Sequence, residues 1–138
     1  MFRDQLAAIA DRLEKEQLQQ VELFFHPVQI ETKLGTEPLV TIRRWFDQEV
    51  WPWPSKPMAY VDHRLESGSA ERCYQHAKVV VADAGTDRAS ALVTSANFSE
   101  GAQRHNFEAG WLARGPWRAN QVSDHFRRLV AEGLFVEI

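Results

Sequence analysis

Between His76 and Ala113 the chain runs through three strand-length segments, HAKVVVAD, ASALVTSA and HNFEAGWLA, separated by AGTDR and by the eight residues NFSEGAQR that contain SEGAQ. The first connection carries turn chemistry and the second reads as a short helical turn. Apolar strands this closely spaced demand a sheet, and a sheet must bury its apolar faces against other elements. The rest of the chain supplies them. Leu6, Ile9, Leu13 and Leu18 recur at helical spacing, which predicts a helix over residues 3–19. Val21 to Phe25 reads as a strand, ended by His26-Pro27. Residues 37–49 put Leu39, Ile42, Trp45 and Phe46 on one helical stripe. The prolines of WPWPSKP, Trp51 to Pro57, forbid regular pairing and make a rigid aromatic loop. MAYVDH predicts a short strand and ESGSAER a flexible connection. A last helix over residues 116–132 turns Val122, Phe126, Leu129 and Val130 inward and stops at Gly133, before a closing strand LFVEI. The expected fold class is α/β: a mixed β-sheet flanked by helices, forming one domain over residues 1–138.

Composition narrows the setting. A chain of 138 residues can bury a core without covalent staples, and its single cysteine, Cys73, excludes an intramolecular disulfide. The N-terminal stretch intersperses acids and bases, as an amphipathic helix does and a signal peptide does not. No apolar run reaches membrane-spanning length. The expectation is a cytoplasmic protein with no membrane partner. A net charge of −3 gives no global attraction to polyanions, so nucleic-acid binding requires a local patch. Arg43, Arg44, Lys56, Arg64 and Arg104 are the candidates.

The polar residues of the three-strand cluster come in pairs two apart: His76 and Lys78, Ser95 and Asn97, Asn106 and Glu108. Side chains at i and i+2 share a face of a strand. Were the strands neighbours, an imidazole, an ammonium, a hydroxyl, an amide and a carboxylate would converge on one rim. Asp83 has the other parity from His76, which suits a supporting role. This set fits phosphoryl chemistry. Lys78, Ser95 and Asn97 supply donors for phosphate oxygens. His76 can serve as nucleophile or general acid–base, with Glu108 orienting its ring. Glu108 stands among apolar neighbours, and a buried carboxylate requires a partner.

The run H-A-K-V-V-V-A-D, followed by T-S-A-N and N-F-E, resembles the HKD signature of the phospholipase D superfamily over residues 76–110. More loosely, the whole chain is similar to the C-terminal part of the phospholipase-D-like component of DISARM anti-phage systems. The resemblance implies a phospholipase D-like half carrying a single HKD motif. It implies a metal-independent phosphodiesterase with no cofactor, acting as an endonuclease on DNA in anti-phage defence. His76 would attack phosphorus to form a phosphohistidine, and a second motif's histidine would protonate the leaving group. Because the chain holds one motif, the second histidine is expected from a homodimer about a two-fold axis. Thr94 stands where the signature usually has Gly, and the turn between Asp83 and Ser95 is longer than the common spacing.

The remaining features are less specific. His26, His63 and His105 lack metal-ligand spacing, so no metal site is expected. Trp51 and Trp53 can cover the core, line a dimer interface or stack on bases. Alternative functions are hydrolysis of a phospholipid or small phosphodiester, or non-catalytic nucleic-acid binding and assembly.

Overall fold

The computed structural model describes residues 2–25, 37–62, 77–96 and 108–138. The expectations for His26, His63, Arg64, Cys73, His76, Asn97, Arg104, His105 and Asn106, and for the ESGSAER and SEGAQ connections, lie outside them. Among the described residues, three α-helices and six strands form a mixed α/β arrangement. The helices are α1 (Phe2–Glu14), α2 (Pro38–Trp45) and α3 (Pro116–Ala131). The strands are β1 (Val21–Phe24), β2 (Met58–Asp62), β3 (Lys78–Ala82), β4 (Ser90–Thr94), β5 (Gly110–Arg114) and β6 (Phe135–Glu137). They form one sheet in the order β5-β4-β3-β1-β2-β6. The β1–β2 pair is parallel, bridged by the crossover that contains α2, and the other pairs are antiparallel.

Strand parity divides the core in two. Val21, Leu23, Ala59, Val61 and Val80 pack with Leu6 and Ala10 of α1 and Ile42 of α2. Phe24, Tyr60, Val79, Val81, Ala91 and Ala113 pack on the other face with Ala119 of α3. Phe24 anchors that side, stacked on Tyr60 at 4.8 Å and edge-on to Phe135 at 5.7 Å. The Trp51 loop resolves in favour of core cover: Trp51 is fully buried, its Nε1–H donates to Ser55 O at 2.7 Å, and Trp53 packs edge-on against it.

Several boundaries differ from expectation. The stripe over residues 37–49 is not one α-helix. After Trp45 it widens into a π-helical turn, Phe46–Val50, closed by Trp51 N–H donating to Phe46 O at 2.7 Å. Phe46 and Val50 are both buried there. On α3 the fully covered positions are Ala119 and Ser123, while the larger Val122, Phe126, Leu129 and Val130 are partly buried against the sheet.

The first helix ends at Glu14, not at residue 19, because a left-handed residue stops it. Gln17 N–H donates to Arg12 O at 2.8 Å and Glu16 N–H to Leu13 O at 3.1 Å, with Glu16 at φ 55°. The same pattern ends α3: Leu134 N–H donates to Leu129 O and Gly133 N–H to Val130 O, each at 2.9 Å, with Gly133 at φ 74°. Both are Schellman caps. One uses glycine, which takes this conformation freely, and the other uses glutamate, which does not. Glu16→Gly should therefore stabilise the fold by about 0.5–1 kcal/mol. Thermal melting checks this, and an unchanged or lower midpoint would contradict it.

Candidate functional site

The register of the three-strand cluster fixes what meets what. Lys78 pairs with Thr94, and Thr94 with Gly110, so the start of β3, the end of β4 and the start of β5 lie together at one end of the sheet. Asp83 lies just beyond the opposite end of β3, about 17 Å away by strand rise. Its Oδ1 accepts from Gln19 N–H at 2.7 Å and Gln20 N–H at 3.4 Å, and Arg88 lies 3.4 Å from its Oδ2. Its own backbone is left-handed at φ 52°, a conformation Asp tolerates better than most residues. Asp83 ties the β3–β4 turn to the connection between α1 and β1.

At the Lys78 end, three candidates come together through Glu108. Ser95 Oγ–H donates to Glu108 Oε2 at 2.5 Å. Ser95 N–H donates to Ala109 O at 3.0 Å, and Ala109 N–H returns a bond to Ser95 Oγ at 3.1 Å. Ala109 O lies 3.3 Å from Ser95 Oγ, but a hydroxyl has one proton, and the carboxylate is both nearer and charged. Glu108 also acts electrostatically on Lys78. His76 and Asn97, which belong to the same constellation in sequence, are outside the described residues.

Three expectations need correction. Glu108 is not on the third strand, since β5 begins at Gly110. Nor is it a buried carboxylate: it is exposed, because Gly110 and the residues beside it are exposed at the sheet rim. The buried charge is Lys78, only 4% exposed. Strand parity also does not put Ser95 on the face of Lys78, because the residue opposite Lys78 is Thr94. Ser95 reaches Glu108 because β4 ends at Thr94 and the chain bends there.

Burial pushes the Lys78 ammonium below the usual lysine value, and the Glu108 charge offsets part of that fall. In the expected basic patch, Lys56 is committed to the fold: its Nζ donates to Asp47 Oδ1 at 2.7 Å and Trp51 O at 2.9 Å. Arg43 and Arg44 are exposed on α2.

Sequence reasoning missed Glu22, a buried carboxylate in β1. It accepts from Arg127 Nε at 2.8 Å, Gln20 Nε2 at 3.1 Å and Ser123 Oγ at 3.3 Å. A glutamate inside an otherwise apolar VELFF was the available signal. It also missed Trp111, half exposed on β5. Trp111 lines a shallow depression of about 570 Å³ with Ala77, Val93, Ser95 and Gly110, beside the Ser95–Glu108 pair.

Among the described residues no group of three His, Cys, Asp or Glu is placed to hold a metal ion, and no helix is long and apolar enough to cross a membrane. Compared with protein-family models, curated proteins and solved structures, the chain matches none.

Two predictions follow from the rim. Lys78→Met removes a desolvated ammonium and should change how stability depends on alkaline pH. The sign with pH is fixed. Lys78 has a lowered folded value, so above it the unfolded chain holds the extra proton, and stability rises with pH toward 10.5. Urea unfolding across that alkaline range should show the wild type gaining stability relative to Lys78→Met, since Tyr60, raised by burial, acts in the opposite sense in both proteins.

The second concerns Thr94. A Cβ on Gly110 would stand 3.2 Å from Thr94 Cβ and 3.3 Å from Val93 O. Gly110→Ala should cost about 1–3 kcal/mol alone and clearly less in a Thr94→Gly background. Equal costs in both backgrounds would show that the two positions do not couple.

Proposed function

We propose that the chain is a phospholipase D-like half that cleaves phosphodiester bonds without a metal, acting as an endonuclease on DNA in cytoplasmic anti-phage defence. The observation that carries this reading is Lys78: an ammonium held 4% exposed at the sheet end, beside the Ser95–Glu108 pair. A buried cation whose titration is perturbed, set near an exposed carboxylate at the end of a sheet, is the kind of group that functional sites collect. Lys78 supplies the charge for phosphate oxygens, with Asn97 the further donor that the motif supplies; Ser95 joins them only by giving up its bond to Glu108.

In this mechanism an imidazole nitrogen of His76 attacks phosphorus, and the bond to the leaving oxygen breaks. A second His76, from a second copy of the chain, protonates that oxygen. The same second imidazole then takes a proton from water, whose oxygen attacks phosphorus. The P–N bond breaks, the phosphate ester departs and His76 is restored. Glu108 holds Ser95 with one oxygen and retains lone pairs to orient an imidazole.

Cleavage of a DNA oligonucleotide in EDTA is the test. His76→Ala should abolish it by at least about a thousandfold, and Glu108→Gln should lower it about a hundredfold or less. Excess His76→Ala protomer mixed into the wild type should poison activity, because each mixed dimer lacks one histidine. Strict dependence on a divalent ion, or near-normal cleavage by His76→Ala, would sink this reading. Preferential hydrolysis of phosphatidylcholine would move it to the lipid alternative.

A further inference from the structure

We infer that the outer edge of β5 binds a second copy of this chain, the two β5 strands pairing antiparallel about a two-fold axis at Leu112. The inference goes beyond the phosphodiesterase reading and uses a different surface. β5 is the end strand of the sheet. Ser95 N–H donates to Ala109 O and Gly115 N–H to Ala89 O, so the odd-numbered residues of this segment turn their backbone toward β4. Alternation turns the N–H and C=O groups of Gly110, Leu112 and Arg114 outward, where no strand of the sheet meets them. Another β-strand fits those groups, because it offers acceptors and donors at the same repeat. Edge strands are normally guarded by a bulge, a proline or a charge. Here the register with β4 runs without interruption, GWLAR holds no proline, and its one charge is at the end. Trp111 on the α3 face is 49% exposed and Leu112 on the α1 face 51%.

The strand is complementary to itself. With Leu112 on the axis, Gly110 pairs with the partner's Arg114 and Trp111 with the partner's Ala113. The outward-facing residues then all form hydrogen-bonded pairs, and the 5 residues of the strand overlap completely. Trp111 and the partner's Ala113 form the closer, non-hydrogen-bonded kind of pair, with Cα atoms about 4.5 Å apart. A large indole there needs a small neighbour, and alanine is one. On the other face Arg114 stands beside the partner's Gly110, which has no side chain to oppose it. Moving the axis to Trp111 would set the two indoles against each other and shorten the overlap.

The helices leave room for this approach. α3 lies chiefly over β4, so across the joined edge the two copies of α3 stand three strand spacings apart, about 14 Å. Packed helices need about 8–10 Å. The contact also holds the two Lys78 ends apart, because the two β3 strands run antiparallel with five spacings, about 24 Å, between them. It therefore does not supply a second His76. Nor does it occlude the sheet end where that separate contact would form.

The test is cross-linking of the whole chain by a short bifunctional thiol reagent, in a Cys73→Ser background. Leu112→Cys should link to its own copy, since the two Cα atoms lie about 5.5 Å apart across the axis. Arg114→Cys should not, because its two copies are offset by four positions, about 14 Å. Both residues are exposed, so neither change disturbs the core. In sedimentation, Leu112→Lys sets two like charges on the axis and should remove an association step of the unsubstituted chain, or weaken it at least about tenfold. A sedimentation profile unchanged by Leu112→Lys would overturn the inference, as would equal linking at both positions. Absence of linking at Leu112→Cys would overturn it too, and would leave the edge to a strand of another protein. Failure of the phosphodiesterase reading appears separately, as cleavage that survives His76→Ala.

Discussion

The interior of β3 is buried on both faces, and the rest of the molecule follows from that constraint. Val79 and Val81 face α3 while Val80 faces α1 and α2, each at most 7% exposed. A strand covered on both sides tolerates polar groups only where it leaves the layers. Charge therefore collects at its two ends, Lys78 at the start and Asp83 just past the finish. The ends then diverge in purpose. Asp83 is turned into the fold and saturated by backbone N–H groups of the α1–β1 connection. Lys78 is set at the rim, where the neighbouring charge, Glu108, is in solvent.

The comparison with Glu22 sharpens the difference. Glu22 is as buried as Lys78, but Arg127, Ser123 and Gln20 close around it and fasten α3 to β1. Breaking such a cluster strands a charge, so its role is explained by stability alone. At Lys78 the neighbouring carboxylate is instead exposed, and it is bonded to Ser95.

Much of this was legible in sequence because period and turn chemistry are local. The three-strand cluster, the covered helices and the Gly133 stop all follow from residue spacing and from glycine's freedom at positive φ. What was hidden depends on tertiary context. Nothing local distinguishes Glu16 from its helical neighbours, yet the need to bring Leu18 onto the core halts α1 there. Ser123 looks like a solvent-facing helix residue until Glu22 is known to lie beneath it. The exposure of Glu108 was unreadable in sequence, where nothing marks Ala109 and Gly110 as exposed beside it.

Thr94 shows how the end of β4 is held. A glycine at that position would leave space at the end of β4, and threonine fills it with a Cβ and a hydroxyl. The space reappears across the ladder, because the residue paired with Thr94 is Gly110, where no Cβ competes. The hydroxyl also finds bonds: Ala96 N–H donates to Thr94 Oγ1 at 3.1 Å, and Thr94 Oγ1–H reaches Ala109 O at 3.3 Å. These bonds hold the bend at which Ser95 leaves the strand. Threonine thus fixes the turn that glycine would only have permitted, and Ser95 meets Glu108 because the bend is held.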